Sequence, residues 1–160
     1  MNATVELRWR RMEEGDLAAV AMLDKICQGH SWTVGHFRDE LSRGDEGFNR
    51  VLEDSQTGVV GYLCGWITAD EFHIGTVGVD PELRRRGLGK GMISQALKWA
   101  VNRGATAAHL EVRAGNVAAI AMYESLRYRK VGVRRAYYAD NGEDAFLYFA
   151  DLLDGSTAVP

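Results

Sequence analysis

A chain of 160 residues, 46% hydrophobic and 26% charged, has the size and make-up of one domain, here residues 1–160, with a core of its own. A net charge of -3 lacks the basic excess of nucleic-acid-binding domains, no apolar run reaches transmembrane length, and MNATVELRWRR has no signal-peptide core. No nucleic-acid or membrane partner is therefore expected. Cys27 and Cys64 stand alone, outside any C-x-x-C pair, and read as apolar thiols in a reducing cytoplasm.

In chain order, Val5 to Trp9 alternates as a first strand. Asp16 can cap a helix that carries Leu17, Val20, Met22, Leu23 and Ile26 on one side. Gly29 to Thr33 breaks the pattern before a short helix through Phe37 and Leu41. Phe48–Glu53 and Val59–Thr68 read as strands around the turn Ser55–Gly58, and Phe72–Val79 follows in an antiparallel meander. Leu88 to Val101 has helical spacing, Ala107–Val112 is a strand, Asn116–Leu126 a helix, and Val131–Val133 and Ala145–Leu152 are strands. Residues 154–160 read as a frayed tail. A meander followed by alternating β and α units predicts an α/β fold, a mixed and mostly antiparallel sheet of about seven strands with helices on both faces.

The run RRRGLGKGM, Arg84 to Met92, lies between a strand and a helix. A glycine-rich turn opening a helix exposes unpaired backbone N–H groups at the positive end of the helix dipole. Three arginines add full charge, so the segment reads as a phosphate or pyrophosphate cradle rather than an ordinary basic helix start. It is not a P-loop, since Arg84 stands where the first glycine belongs and Gly91 follows Lys90. It is not a dinucleotide fingerprint either, since Met92 occupies the third glycine position. The spacing Arg84-x-x-Gly87-x-Gly89 resembles the acetyl-CoA loop of the GNAT acetyltransferase superfamily.

Further on, alternation sends Leu110 and Val112 to one face and His109, Glu111 and Arg113 to the other. A polar face on a central strand is either solvated or put to use. Asn116 can cap the next helix, and Tyr123, seven residues on, projects from the same side of it; a buried structural tyrosine is the competing reading. His30, His36, His73 and His109 show no metal-ligand spacing, so no metal is expected.

LEVRAGNVAAIAMYESLRY and GVRRAYYADNGEDAFLY together resemble the LEVR, YY and EDA stretches of RimI-type enzymes, the ribosomal-protein-alanine N-terminal acetyltransferases, and HSWT with Trp32 resembles that family's FPWS. The resemblance runs strongly from about Val77 to Phe146 and is weaker but collinear before it. It implies the GNAT fold with acetyl-CoA as cosubstrate and a protein N-terminus, ribosomal in the family, as acceptor. It further implies Glu111 as general base, directly or through water, with burial raising its pKa, and Tyr123 as general acid toward the CoA sulfur. Val77, Gly78 and Val79 would offer backbone groups to pantetheine and acetyl. Arg84, Arg85, Arg86, Gly87, Leu88, Gly89 and Lys90 would hold the pyrophosphate, and Asn116 the pantetheine arm. Tyr137 and Tyr138 would grip the peptide or pack on an edge hairpin, and Trp32 would wall the site or fill the core. Glu143 and Asp144 would face a basic peptide or form an acidic turn. The family's helix-ending glycine is Arg127 here, which puts the local helix exit in question. Gly75 and Gly78 would suit a bulge or the close approach of a ligand. A cytoplasmic monomer or weak dimer is expected. The remaining alternatives are acetylation of a lysine side chain or small amine, and a non-catalytic CoA-binding module.

Overall fold

The computed structural model describes residues 4–29 and 32–153, so His30, Ser31 and the expected tail at 154–160 lie outside the described residues. Among the described residues, seven strands and four α-helices follow one another as β1 (Leu7–Arg11), α1 (Leu17–Gln28), α2 (Val34–Leu41), β2 (Gly47–Asp54), β3 (Gly58–Thr68), β4 (Glu71–Val79), α3 (Leu88–Asn102), β5 (Ala107–Arg113), α4 (Val117–Ser125), β6 (Arg129–Arg134) and β7 (Ala145–Asp151). The strands pair in the order β1-β2-β3-β4-β5-β7-β6. β4 runs parallel to β5 from Glu71↔Ala107 to His73↔His109, while β1/β2, β5/β7 and β6/β7 are antiparallel. This is the mixed α/β sheet expected. Among the described residues, no helix is long and apolar enough to cross a membrane. The chain divides into two compact units, Met1–Cys64 with Thr76–Gly89 and Gly65–Gly75 with Lys90–Pro160.

In the first unit, Met12, Leu17, Val20, Leu23, Phe37, Val51, Tyr62 and Cys64 form one apolar cluster. The stripe expected on α1 is only half right. Leu17, Val20 and Leu23 are buried, but Met22 is 70% and Ile26 62% exposed. At roughly 100° per residue those two lie about 140° and 180° around the helix from Leu17. The position that does continue the stripe, seven residues after Leu17, is held by Asp24, which is 0% exposed. Asp16 does not cap α1 with its side chain. Its carboxylate is taken by the Arg10 guanidinium at 2.8 and 2.9 Å and by the Glu13 N–H at 2.8 Å, and Arg10 also forks to Glu53. The thiols are free; Cys64 is buried, Cys27 half-buried, and burial pushes both thiol pKa values up.

In the second unit, α3 buries Met92, Ile93, Ala96, Leu97 and Ala100, as its periodicity predicts. Leu110 and Val112 of β5 are buried too. Asn116 caps α4 by accepting the Ala119 N–H at 3.2 Å. The helix exit that Arg127 put in question is a complete Schellman motif. The Tyr128 N–H reaches the Tyr123 carbonyl and the Arg127 N–H the Glu124 carbonyl, both at 3.1 Å, and the Tyr123 and Tyr128 rings meet edge to face at 5.7 Å. Arg127 meets this geometry at φ 67°, the left-handed region that a side chain enters at a cost. Replacing Arg127 with Gly should therefore raise stability by about 0.5–1 kcal/mol and Tm by about 1–4 °C in calorimetry. A lower Tm would show that the arginine side chain contributes more than the strain costs.

Candidate active site

Of the expected cofactor residues, 77–79 and 84–89 lie in the first unit, Lys90 and Asn116 in the second. Along β4 burial alternates from Glu71 to Thr76 and slips at Val77 and Gly78, which are both half-exposed. Gly78 is required for packing: a Cβ there would come within 2.7 Å of the Tyr62 ring and hydroxyl and 2.9 Å of the Cys27 sulfur. The last turns of α1 hold this strand end. Gln28 donates to the Val77 carbonyl at 2.8 Å and the Cys27 thiol reaches the Val79 carbonyl at 3.5 Å. Asp24 accepts the Thr76 hydroxyl at 2.6 Å, the Tyr62 hydroxyl at 2.6 Å and the Trp32 N–H at 2.9 Å. Burial and then the facing Asp24 push the Tyr62 phenol pKa far up, so it remains a donor.

Beyond Val79, the Asp80 side chain caps the turn Pro81–Leu83 through the Glu82 N–H at 2.9 Å. Arg84 folds back and donates from Nε to the Val79 carbonyl at 3.2 Å, which makes it a strut for the loop. Arg85 and Gly87 both take left-handed backbone conformations, φ 65° and 74°. A Cβ on Gly87 would meet nothing within 4 Å, so that glycine is there for conformation and not for space. A non-glycine residue held in this region costs free energy, and such strain gathers where backbone groups must be aimed. The next residues open α3, whose first N–H groups have no carbonyl four residues back. Arg85, Arg86 and Lys90 are exposed around them. A strained turn, open N–H groups and exposed cations suit a pyrophosphate.

The second unit carries the proton-handling candidates. Glu111 is not buried among apolar groups as expected: its side chain is 34% exposed and Arg134 Nε lies 3.3 Å from Oε1. Burial and a hydrogen bond to Glu111 raise the Tyr137 phenol pKa. On the same face of β5, His109 stacks on His73 at 5.2 Å and His73 on Trp66 at 5.9 Å; burial and the neighbouring imidazole lower the His73 pKa. Tyr123, 5% exposed, has its phenol pKa raised by burial, so it keeps its proton at neutral pH. Burial pushes Tyr138 up to about 12 against the pull of Arg113.

The loop bearing the two tyrosines is fastened to the end of β5. The Arg113 guanidinium lies 3.9 Å from the centre of the Tyr138 ring and pairs with Asp140 at 2.9 Å and Glu143 at 3.3 Å. Glu143 accepts the Gly115 N–H at 2.7 Å and Asp144 the Ala136 N–H at 2.8 Å. Glu143 and Asp144 thus brace the loop from within, which is the acidic-turn reading. Tyr137 is 45% exposed and meets Tyr138 edge to face at 5.2 Å. The side-chain oxygen of Asn116 is used as the α4 cap.

Sequence reading passed over Asp24, Gln28 and the partner of Glu111, Arg134. A charge at the seventh position after Leu17, inside an apolar stripe, was the available signal for Asp24. The Glu111–Arg134 contact joins β5 to an edge strand, and no local pattern announces it.

A strained glycine turn in the first unit, and a strand carboxylate and a buried helix phenol in the second, are features compatible with an acyl-transferring enzyme. The chain belongs to the Acetyltransferase (GNAT) family, whose profile matches residues 7–128. Within that family it is similar to the RimI type. It is 32% identical over 139 residues to the [ribosomal protein bS18]-alanine N-acetyltransferase of Escherichia coli K12, covering 85% of this chain and 91% of that one. The crystal structure of the E. coli ribosomal-protein-S18-alanine N-acetyltransferase superposes with a TM-score of 0.81 at 28% identity, over 92% of this chain and 94% of the other. The fold is also that of Arabidopsis thaliana NAA60 in complex with acetyl-CoA, with a TM-score of 0.79 at 18% identity, over 91% and 98%.

The Arg113 clamp has a pH signature. Asp140 is held below its ordinary 3.8 mainly by Arg113, and Glu143 below 4.5 first by the Gly115 N–H and further by Asn141 and Arg113. Lowered folded-state values mean that the bracing is complete above the ordinary carboxylate range and is lost as pH falls through the lowered values. Arg113→Gln should therefore be less stable than the parent in urea at pH 7, and the gap should narrow as pH drops below about 4. A gap independent of pH would assign the clamp to stacking on Tyr138 alone.

Proposed function

We propose that this chain moves the acetyl group of acetyl-CoA to the N-terminal α-amine of a protein, its acceptor being the N-terminal alanine of a small-subunit ribosomal protein. The observation that carries the reading is the similarity to the E. coli bS18-alanine N-acetyltransferase over 85% of the chain. It is supported by a carboxylate at Glu111, a buried phenol at Tyr123 and a braced tyrosine pair at Tyr137 and Tyr138.

Bound acetyl-CoA supplies an activated acetyl thioester and departs as a thiol. The N–H groups from Arg85 to Lys90 hold its pyrophosphate, with the exposed cations adding long-range attraction and Arg84 bracing the turn. Backbone groups of Val77, Gly78 and Val79 line the pantetheine and acetyl, and the Val79 N–H donates to the acetyl oxygen as negative charge grows there. Asn116 bonds the pantetheine arm. A protein α-amine has a pKa of about 8, so at neutral pH one proton must leave before nitrogen can attack. Glu111 takes that proton, directly or through a water that its exposure admits. Tyr123 gives its phenolic proton to the departing sulfur and is reprotonated by the second proton that the attacking nitrogen sheds as the amide forms, and its raised pKa keeps the phenol protonated until then. Tyr137, hydrogen-bonded to the Glu111 carboxylate, holds the first peptide group near the base together with Tyr138, and Trp32 walls the peptide.

Glu111→Gln should lower kcat by about 10²–10⁴-fold and leave acetyl-CoA affinity by calorimetry unchanged, and Tyr123→Phe should act in the same direction. With short peptides in a thiol-release assay, turnover is expected on free N-termini and not on blocked ones. Turnover on blocked, lysine-bearing peptides would move the acceptor to a side-chain amine. Binding of acetyl-CoA without turnover on any amine would leave a CoA-binding module.

A further inference from the structure

Asp24 is the one fully buried carboxylate among the described residues, and the proposed chemistry does not use it. It stands in the apolar stripe of α1 between Leu23 and the half-buried Cys27, where a leucine would fill the space without the desolvation cost of a charge. Its two oxygens accept from three different elements: the Trp32 N–H ahead of α2, the Tyr62 hydroxyl of β3 and the Thr76 hydroxyl of β4. Two hydroxyl donors at 2.6 Å on one carboxyl oxygen are short hydrogen bonds that hold Tyr62 and Thr76 closely to it. The next residues of the helix, Cys27 and Gln28, engage the Val79 and Val77 carbonyls, so the same stretch of α1 grips β4 from Thr76 to Val79. Trp32 is packed in turn on Phe37 at 5.3 Å.

We propose that Asp24 is a positioning residue for the acceptor peptide: one carboxylate fixes the Trp32 segment and the Thr76–Val79 segment in a single relation, so that the wall against the peptide and the backbone that receives the acetyl group keep their register. The proposal rests on Trp32 being a peptide-site residue. Asp24 touches neither reactant and acts through Trp32.

The test is a double-mutant cycle read in steady-state kinetics, with the amine acceptor and acetyl-CoA varied separately. Asp24→Asn keeps the volume but replaces one acceptor oxygen with an N–H donor, and with its oxygen left on the two hydroxyls the new donor faces the Trp32 N–H, so it should raise KM for the acceptor by about 10–100-fold. Trp32→Ala alone should also raise that KM, and Asp24→Asn should add nothing further in the Trp32→Ala background. If Asp24→Asn does not fold, Thr76→Val carries the same cycle by deleting one bond to the carboxylate. An acceptor KM unchanged in the folded variant, or raised by the same factor with and without Trp32, overturns the proposal, since a merely structural carboxylate would lower Tm without coupling to Trp32. The cycle is read on whichever amine the chain accepts, and Glu111→Gln is read in kcat, so the two assignments can fail separately.

Discussion

A single buried carboxylate sets how the first unit is built. Asp24 costs several kcal/mol to desolvate, and among the described residues three well-formed hydrogen bonds offset that cost. Remove any one donor and the remaining geometry no longer balances, so the loop before α2, β3 and β4 are all obliged to sit where the carboxylate can reach them. The consequence runs along β4. With Thr76 fixed by its hydroxyl, and the Val77 and Val79 carbonyls taken by Gln28 and Cys27, the strand end has little freedom left. Gly78 belongs to the same set, since any side chain there would collide with Tyr62.

The second unit solves a comparable problem at its surface by different means. The loop from Arg135 to Asp144 has no strand or helix of its own. It is held by the Arg113 fork, by Glu143 and Asp144 on backbone N–H groups, and by the Tyr138 ring under the guanidinium. Exposed ion pairs contribute little singly, but Arg113 is largely covered and its partners are also bound to backbone, so the contacts form a network. A buried carboxyl group organises one unit and a covered cation the other. In both, that group holds a loop next to residues assigned to the reaction.

The element pattern was legible because period two and period 3.6 are local properties: β5, α3 and α4 fall within a residue or two of their expected bounds. What failed were assignments made from residue type alone, without the partner or the helix angle that decides them. Asp16 had the right residue type to cap α1, yet Arg10, six residues earlier, claims its carboxylate. Met22 and Ile26 were grouped with the α1 stripe because they are apolar, whereas helix angle alone puts them on the open side. Arg127 shows the reverse case. The family's glycine had been lost, but the Schellman bonds and the Tyr123–Tyr128 contact outweigh the strain, so the exit survives with a residue that disfavours it. At the candidate site, helix position offered Tyr123 either as a site phenol or as a buried structural tyrosine, and its burial against Tyr128 is compatible with both. The surroundings of Glu111 were not, since Arg134 and Tyr137 reach it from an edge strand and a loop.

The contrasting environments of Glu111 and Tyr123 match the proton balance of the proposed reaction. An ammonium nitrogen that ends as an amide gives up two protons; one finishes on the thiol and the other in water. The proton bound for water is best taken by a group that water can reach, and Glu111 is partly open, with its carboxylate steadied by Arg134 and Tyr137. The proton bound for sulfur is best held by a group that does not exchange it early, and Tyr123 is enclosed, its pKa raised by burial. A buried base would strand its proton after one turnover, and an exposed phenol would give solvent a path to the leaving sulfur. In the proposed reaction the exposure of Glu111, contrary to the burial expected for it, would let its proton pass to water, while the nitrogen's second proton would replace the one Tyr123 gives to sulfur.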